Sequence, residues 1–432
     1  MTEQIPILLY TPHPLVRINY IASTIFGESI NFTNSIETFF SFDGFKINYS
    51  TNCFDNEQLH IVPHGLLEQT GVEPQLIDCS EWEGLKVFFK TDGDIPFDFF
   101  AASFYLLTRY EEYLPHIKDE LERFDHKNSL AFNKNFLHQP LIQLWMKQIA
   151  LKYCSLFTAD TAWSFIPTYD IDIAYSYSNH PFLRNVIGFF KDFIKGNSND
   201  VGERLEVLAT TKKDPYDVYD WLNLLHSSLQ LKPIYFFLLA ANKKGLDKNI
   251  NPASVAMKNL ISNHAKQYEV GIHPSIQSTM STNILMNEIA ELKNQIGEKV
   301  NASRNHYIKI QFPNTYQALI LAKIKHDYSM GYPTVNGFRA SYAKPHQWFN
   351  LKENKVTELM IHSFCYMDAT AIFHERLAID KANSDLQYYL DAVKLVGGEF
   401  ITIFHNNFLT EQAAFKEWKD LYADFLLRNG TR

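Results

Sequence analysis

Apolar and polar positions set two patterns along the chain. From Thr161 onward, short apolar runs alternate with stretches whose apolar residues recur at three- and four-residue spacing. The first kind suits a buried strand and the second an amphipathic helix. Their alternation is the signature of a parallel α/β sheet or barrel. The runs predict strands over residues 164–169, 233–239, 269–272, 302–308, 337–340, 359–364 and 400–404, with helices around 183–194, 219–229, 252–264, 284–295, 315–323 and 385–396. The connection from Asp172 to Pro233 is long for a simple crossover and should carry extra helices.

Residues 1–155 read instead as one smaller mixed α/β domain, leaving 156–432 for the strand–helix repeats. A strand is expected at 7–10, a helix at 14–26, β-type runs at 45–49 and 85–89, a long helical region over 98–113 and a helix over 140–153. No catalytic constellation stands out in this half. Arg109, Glu111 and Glu112 read as a solvated helix face with local ion pairs.

The strand at 164–169 ends by presenting Asp170 and Asp172. Strand side chains alternate, so the two carboxylates share a face, at a cost unless a cation or a shared proton compensates. Functional residues in parallel α/β folds gather just beyond the C-terminal ends of strands. Here those ends carry, after the aspartate pair, Asp247, His273, Arg304 with His306, Arg339, Asp368 and His405. Each has a plainer reading. The aspartates are good helix N-caps, His306 can be a structural partner of Arg304, and Arg339 can close a core salt bridge, with Asp170 as a candidate partner. As a series they point to a site. A carboxylate with two imidazoles is a donor set for Zn²⁺ or a similar divalent ion, which lowers the pKa of bound water from ~15.7 towards ~7. That is the chemistry of metal-assisted hydrolysis.

Composition narrows the partners. A net charge of −8 argues against nucleic acid, which needs concentrated Lys and Arg. The 34 Phe, 23 Tyr and 6 Trp permit stacking on sugar rings. The four cysteines form no C-x-x-C pair, which argues against a zinc knuckle or redox dithiol and suits a reducing compartment. No apolar run approaches the ~20 residues of a membrane span, and the first residues lack a secretory pattern. The expected location is therefore cytoplasmic. No Gly-rich phosphate loop or Walker-type lysine accompanies the aspartates, so phosphoryl transfer is the weaker alternative.

The ordered set Thr168-Tyr169-Asp170-Ile171-Asp172, Gly271-Ile272-His273-Pro274-Ser275, Gly337-Phe338-Arg339-Ala340, Met367-Asp368 and Ile403-Phe404-His405-Asn406 resembles the polysaccharide deacetylase family. This is carbohydrate esterase family four, with its NodB-homology domain. The resemblance covers roughly residues 160–410 and is nearest a bacterial branch in which the domain follows an α/β extension. It implies a distorted (β/α) barrel that hydrolyses acetyl groups from N-acetylated sugars. By position, Asp170 resembles the catalytic base, Asp172 and His273 metal ligands, Arg339 the arginine holding the catalytic carboxylate, His405 the catalytic acid and Asp368 a supporting carboxylate. Arg304 and Asp247 are expected to support the site or its substrate. Two departures matter. The aspartates flank Ile171 where the common motif has them adjacent, and position 277, expected to be the second metal histidine, is Gln. Either His306 supplies that imidazole, or the metal is held weakly, or the chain is a catalytically degraded carbohydrate-binding relative.

Overall fold

The computed structural model describes residues 6–13, 15–54, 59–153, 161–195, 197–243 and 245–430. The expected boundary at 155/156, Pro14 at the expected start of the first helix, and Cys154 lie outside them. The N-terminal half opens with a parallel sheet of four strands, β1 (Ile7–Tyr10), β2 (Ile30–Thr33), β3 (Phe45–Tyr49) and β4 (Leu59–Ile61), in the order β2-β1-β3-β4. The helices Val16–Phe26, Phe99–Leu107 and Leu141–Tyr153 follow their apolar periodicity. A short hairpin, β5 (Ser80–Trp82) and β6 (Leu85–Val87), completes this half. Its apolar core also takes in Tyr332, Tyr342, Phe349 and Leu351, so side chains from both halves of the sequence meet in one cluster.

The second half is a distorted (β/α) barrel. Its strands are β7 (Trp163–Ile171), β8 (Ile234–Leu238), β9 (Glu269–His273), β10 (Ala302–Ser303), β11 (His326–Met330), β12 (His346–Asn350), β13 (Lys355–Ser363), β14 (Tyr366–Met367) and β15 (Gly398–His405). They run in the order β12-β13-β11-β10-β9-β8-β7-β15-β14, every pair parallel except β12 with β13. One bent segment closes the ring. β13 pairs β11, and after Phe364 and Cys365 the same chain continues as β14, which pairs β15. The Cys365 amide donates to the Ile401 carbonyl, and His362 Nδ1 meets the Glu399 carboxylate at 2.6 Å across the seam. The long connection after Asp172 carries three helices, Phe182–Ile194, Ser198–Leu208 and Tyr219–Leu229. Among the described residues no helix is long and apolar enough to cross a membrane.

Several expectations are corrected. Segment 337–340 is a turn rather than a strand. Gly337 sits at φ 149° with Leu137 packed where a side chain would be, and the Ser341 amide donates back to the Phe338 carbonyl. The strand at 302–308 stops at Ser303, because Tyr307 and Ile308 take positive φ in the turn that follows. The helical region over 98–113 breaks at Arg109, which has φ 54°, and resumes as the short turn Tyr110–Tyr113. That break turns Glu111 and Glu112 inward, so they are not a solvated face. Arg109 pairs with Glu111 at 2.6 Å and Glu112 at 2.8 Å, and Arg339 pairs with Glu112 at 2.5 Å, all four side chains being buried. This network joins the two halves of the sequence.

Candidate metal centre and active site

At the C-terminal ends of β7, β9 and β15 the barrel gathers the ionisable residues singled out from the sequence. Asp170 is the penultimate residue of β7 and pairs in register with His405, the last residue of β15. Asp172 follows one residue beyond β7, and His273 ends β9. His306 reaches the site from the turn after β10, where the Arg304 amide donates to the Ile272 carbonyl and the His306 amide to the Pro274 carbonyl. The chain thus continues to run beside the end of β9 although it has left the sheet.

Asp172, His273 and His306 form a cluster whose ligand atoms all lie within 4.8 Å of one another. Backbone and carboxylate partners fix both imidazoles. His273 Nδ1 donates to the Arg304 carbonyl at 2.5 Å, and His306 Nδ1 donates to Asp247 Oδ1 at 2.9 Å. Each ring therefore turns Nε2 towards Asp172, at 3.1 Å from Oδ1 for His273 and 3.5 Å from Oδ2 for His306. Asp172 Oδ1 is buried and has no hydrogen-bond donor. Two nitrogen lone pairs aimed at a carboxylate repel unless something positive lies among them. A divalent cation satisfies all three groups, and the orienting partners at the far nitrogens are those that a metal-bound histidine uses. The donor set fits a metal.

Gln277 stands elsewhere. Its amide donates to Asp247 Oδ2 at 3.1 Å and to the Asn242 carbonyl, so it steadies the carboxylate that steadies His306. Asp247 also accepts the Ile276 amide at 3.0 Å. Replacing Asp247 with alanine should weaken divalent-metal affinity roughly 10–100-fold, as loss of such an orienting partner does. Competitive titration against a fluorescent chelator measures it, and affinity within a factor of two of the parent would refute this role.

Two further groups flank the cluster. Asp170 Oδ1 accepts Arg304 Nη1 at 2.9 Å, while Oδ2 lies 3.9 Å from His273 Nε2. Arg304 is fully buried, also donates to Thr168 Oγ1 and the Tyr328 carbonyl, and stacks 4.5 Å from the Phe236 ring. The guanidinium expected from Arg339 beside Asp170 is therefore that of Arg304, and Arg339 is committed to Glu112 and the Gly331 carbonyl instead. His405 Nδ1 meets Asp368 Oδ1 at 2.6 Å, leaving Nε2 3.7 Å from Asp172 Oδ2.

Burial and charge act in opposition here. Burial pushes Asp172 up, yet His306 and His273 together hold its carboxyl well below the usual range. Burial disfavours a charged His306, but Asp172 and Asp247 lift it to about 9. Burial likewise opposes a charged His405, and Asp368, followed by Asp172 and Asp170, raises it to about 10. At His306 and His405 the neighbouring carboxylates therefore outweigh burial.

The site opens into a cavity of about 180 Å³ walled by Tyr307, Phe373 and Phe408 among others. Arg123, from the N-terminal half, also lines it and is fixed by Asp119 at 2.7 Å and the Tyr307 carbonyl at 2.7 Å. Nothing in the local sequence around Arg123 signals this, because its partner Tyr307 is remote in the chain.

A family model described as a family of unknown function (DUF7033) matches residues 7–157. No curated protein matches the chain at a significant level. Among solved structures, the chain is similar to a Mycobacterium smegmatis protein assigned as a polysaccharide deacetylase, at 10% identity and TM-score 0.40, over 63% of this chain and 87% of that one. It is similar to the polysaccharide deacetylase Bc1974 from Bacillus cereus at 11% identity and TM-score 0.31, over 62% and 89%. PuuE allantoinase matches at 10% identity and TM-score 0.39, over 65% and 91%. At such scores the likenesses carry no functional weight. The chemistry rests on the site.

Proposed function

We propose that the chain is a metal-dependent hydrolase that removes acetyl from the nitrogen of an N-acetylated saccharide or glycoconjugate. The observation that carries this reading is the placement of Asp170 and His405, each held by its own buried partner, within 4 Å of the Asp172–His273–His306 cluster. A divalent cation held by those three residues, most simply Zn²⁺ given nitrogen and oxygen donors, supplies Lewis-acid polarisation and acidifies a bound water.

The chain's own residues do the rest. Arg304 fixes Asp170 through Oδ1, which leaves Oδ2 to accept a proton from the attacking water. Asp368 fixes His405 through Nδ1, which leaves Nε2 to donate a proton to the departing amine nitrogen. The water oxygen joins the acyl carbon, the carbon–nitrogen bond breaks, and acetate and a free amine leave. The aromatic wall of Tyr307, Phe373 and Phe408 suits the apolar face of a sugar ring. The order of the motifs along the chain supports an acetamido sugar as substrate. Cys53, Cys79 and Cys365 are free thiols, which suits a reducing compartment such as the cytoplasm.

The test pairs metal analysis of purified protein with acetate release from N-acetylglucosamine oligomers. Near-stoichiometric metal is expected, lost in Asp172→Ala, with acetate release abolished by chelator and restored by Zn²⁺. Saccharide binding that survives Asp170→Asn and His405→Ala, with no acetate from any N-acetyl sugar, would establish a binding protein instead.

A further inference from the structure

The helix Phe182–Ile194 is amphipathic the wrong way round for a helix packed on a protein core. Of its thirteen residues only Asn185 is buried. Its inner face carries Asn185, Gly188 and Asp192, spaced three and four residues apart as one helix stripe requires, with Phe189 half-buried beside them. That stripe is met by a single side chain of the next helix, Ser198–Leu208. Arg204 donates to Asn185 Oδ1 at 3.1 Å, pairs with Asp192 at 2.6 Å, and lies where a side chain at Gly188 would sit. Asn185 also donates to the Tyr177 carbonyl at 2.9 Å. The helix is therefore fastened by polar contacts along its inner side.

The outer face is apolar. Phe182, Leu183, Ile187, Phe190, Phe193 and Ile194 are between 57% and 84% exposed. A soluble chain rarely leaves so continuous a stripe open without a use for it. Cations border the stripe. Arg184 and Lys191 lie on the same helix and Lys195 caps its C-terminus, and among the described residues none of them has a carboxylate within ion-pair distance. Lys243 lies close enough to Arg184 for the two charges to oppose each other. In a chain of net charge −8, the helix and its C-cap carry an excess of positive charge beside the apolar face, Asp192 being their one acid and paired with Arg204, while the acids Asp200, Glu203 and Glu206 lie on the neighbouring helix.

We propose that this helix lies in the interface of a membrane whose surface is anionic. Its apolar residues enter the boundary between headgroups and acyl chains, and Arg184, Lys191, Lys195 and Lys243 meet lipid phosphates. An apolar face flanked by basic residues is the composition of helices that bind in the plane of a bilayer without spanning it. A second copy of the chain is disfavoured as the occupant, because a two-fold contact through this face would bring the same lysines together. The proposal is independent of the hydrolase reading, and its readout is binding.

The test is flotation of the full chain with vesicles of phosphatidylcholine containing about a third phosphatidylglycerol, against pure phosphatidylcholine. Binding is expected to the anionic vesicles and to fall as salt rises. Ile187→Glu with Phe190→Glu should lower it at least ten-fold. Both side chains are exposed, so the thermal midpoint should hold. Lys191→Gln and Lys195→Gln should each weaken binding roughly five-fold on anionic vesicles, the worth of one basic residue near a charged surface. Failure to float with the anionic vesicles overturns the proposal, as does binding that ignores the glutamate variant. So does a dimer in light scattering that this variant dissociates, which would assign the face to a second copy.

Discussion

Glu112→Ala should lower the stability of the folded chain by roughly 3–5 kcal/mol, the usual cost of stripping one partner from a buried ion pair. The Glu112 carboxylate receives Arg109 Nε at 2.8 Å and Arg339 Nε at 2.9 Å, with Arg339 Nη2 completing a two-pronged contact. All three side chains are almost wholly removed from water. With the carboxylate gone, Arg339 keeps the Gly331 carbonyl and loses its counter-charge, and Arg109 keeps the Arg339 carbonyl and the Tyr332 hydroxyl with Glu111 as its remaining counter-charge. The urea midpoint should fall accordingly while the slope stays constant. Glu112→Gln, which keeps the volume and removes only the charge, should lose nearly as much. A loss below about 1 kcal/mol for both would mean that the guanidiniums find other acceptors, and that the pairing contributes little.

Asp170→Asn should lower the turnover of acetate release roughly 10²–10⁴-fold, the range for loss of a general base, with metal content unchanged. Asp170 meets Arg304 through the guanidinium alone, whereas His273 is oriented by the Arg304 backbone carbonyl, so KM and bound metal should stay near the parent while kcat collapses. The same variant should lose some stability, because Arg304 is left buried without a counter-charge. Arg304→Met strands Asp170 in the same way. Combining Asp170→Asn with Arg304→Met removes both charges, and should recover stability beyond either single variant while activity stays lost. That split separates a chemical role for Asp170 from a merely structural one. Equal rates in Asp170→Asn and parent would end the assignment.

The parts of the fold carried by local pattern were legible. β7, β8, β9 and β15 lie within a few residues of their expected positions, because apolar runs bounded by turn residues leave little choice of structure. β11 escaped notice. Its sequence His326-Asp327-Tyr328-Ser329-Met330 buries Asp327 and Ser329, whose polar atoms are satisfied by one another and by Ser303. A strand that buries polar side chains on one face, with only Tyr328 and Met330 as buried apolar residues, does not announce itself by hydropathy. β12 and the turn at 337–340 were missed or misread for a related reason, since contacts with distant parts of the chain decide them.

The site divides in the same way. The approach of Asp172 and His273 follows from two strand ends on one face of a parallel sheet. The choice between Arg304 and Arg339 does not, because it depends on Glu112, more than two hundred residues before Arg339 in the chain. His306 lies on the expected face although the strand ends at Ser303, since the turn after β10 keeps hydrogen bonding along the end of β9. The place of Gln277 behind Asp247 has no local signature.

The bent segment that joins β13 to β14 has a consequence for how the molecule becomes competent. Asp368 comes directly after β14 and grips His405 through both its ring and its backbone amide. The last seam of the barrel and the setting of the proposed proton donor are therefore a single event. A chain with its seam open would retain the Asp172–His273–His306 cluster, yet lack a positioned His405. Loading with metal and gaining activity should then come apart in any variant that loosens Phe364–Cys365, and turnover becomes the gauge of whether the ring has shut.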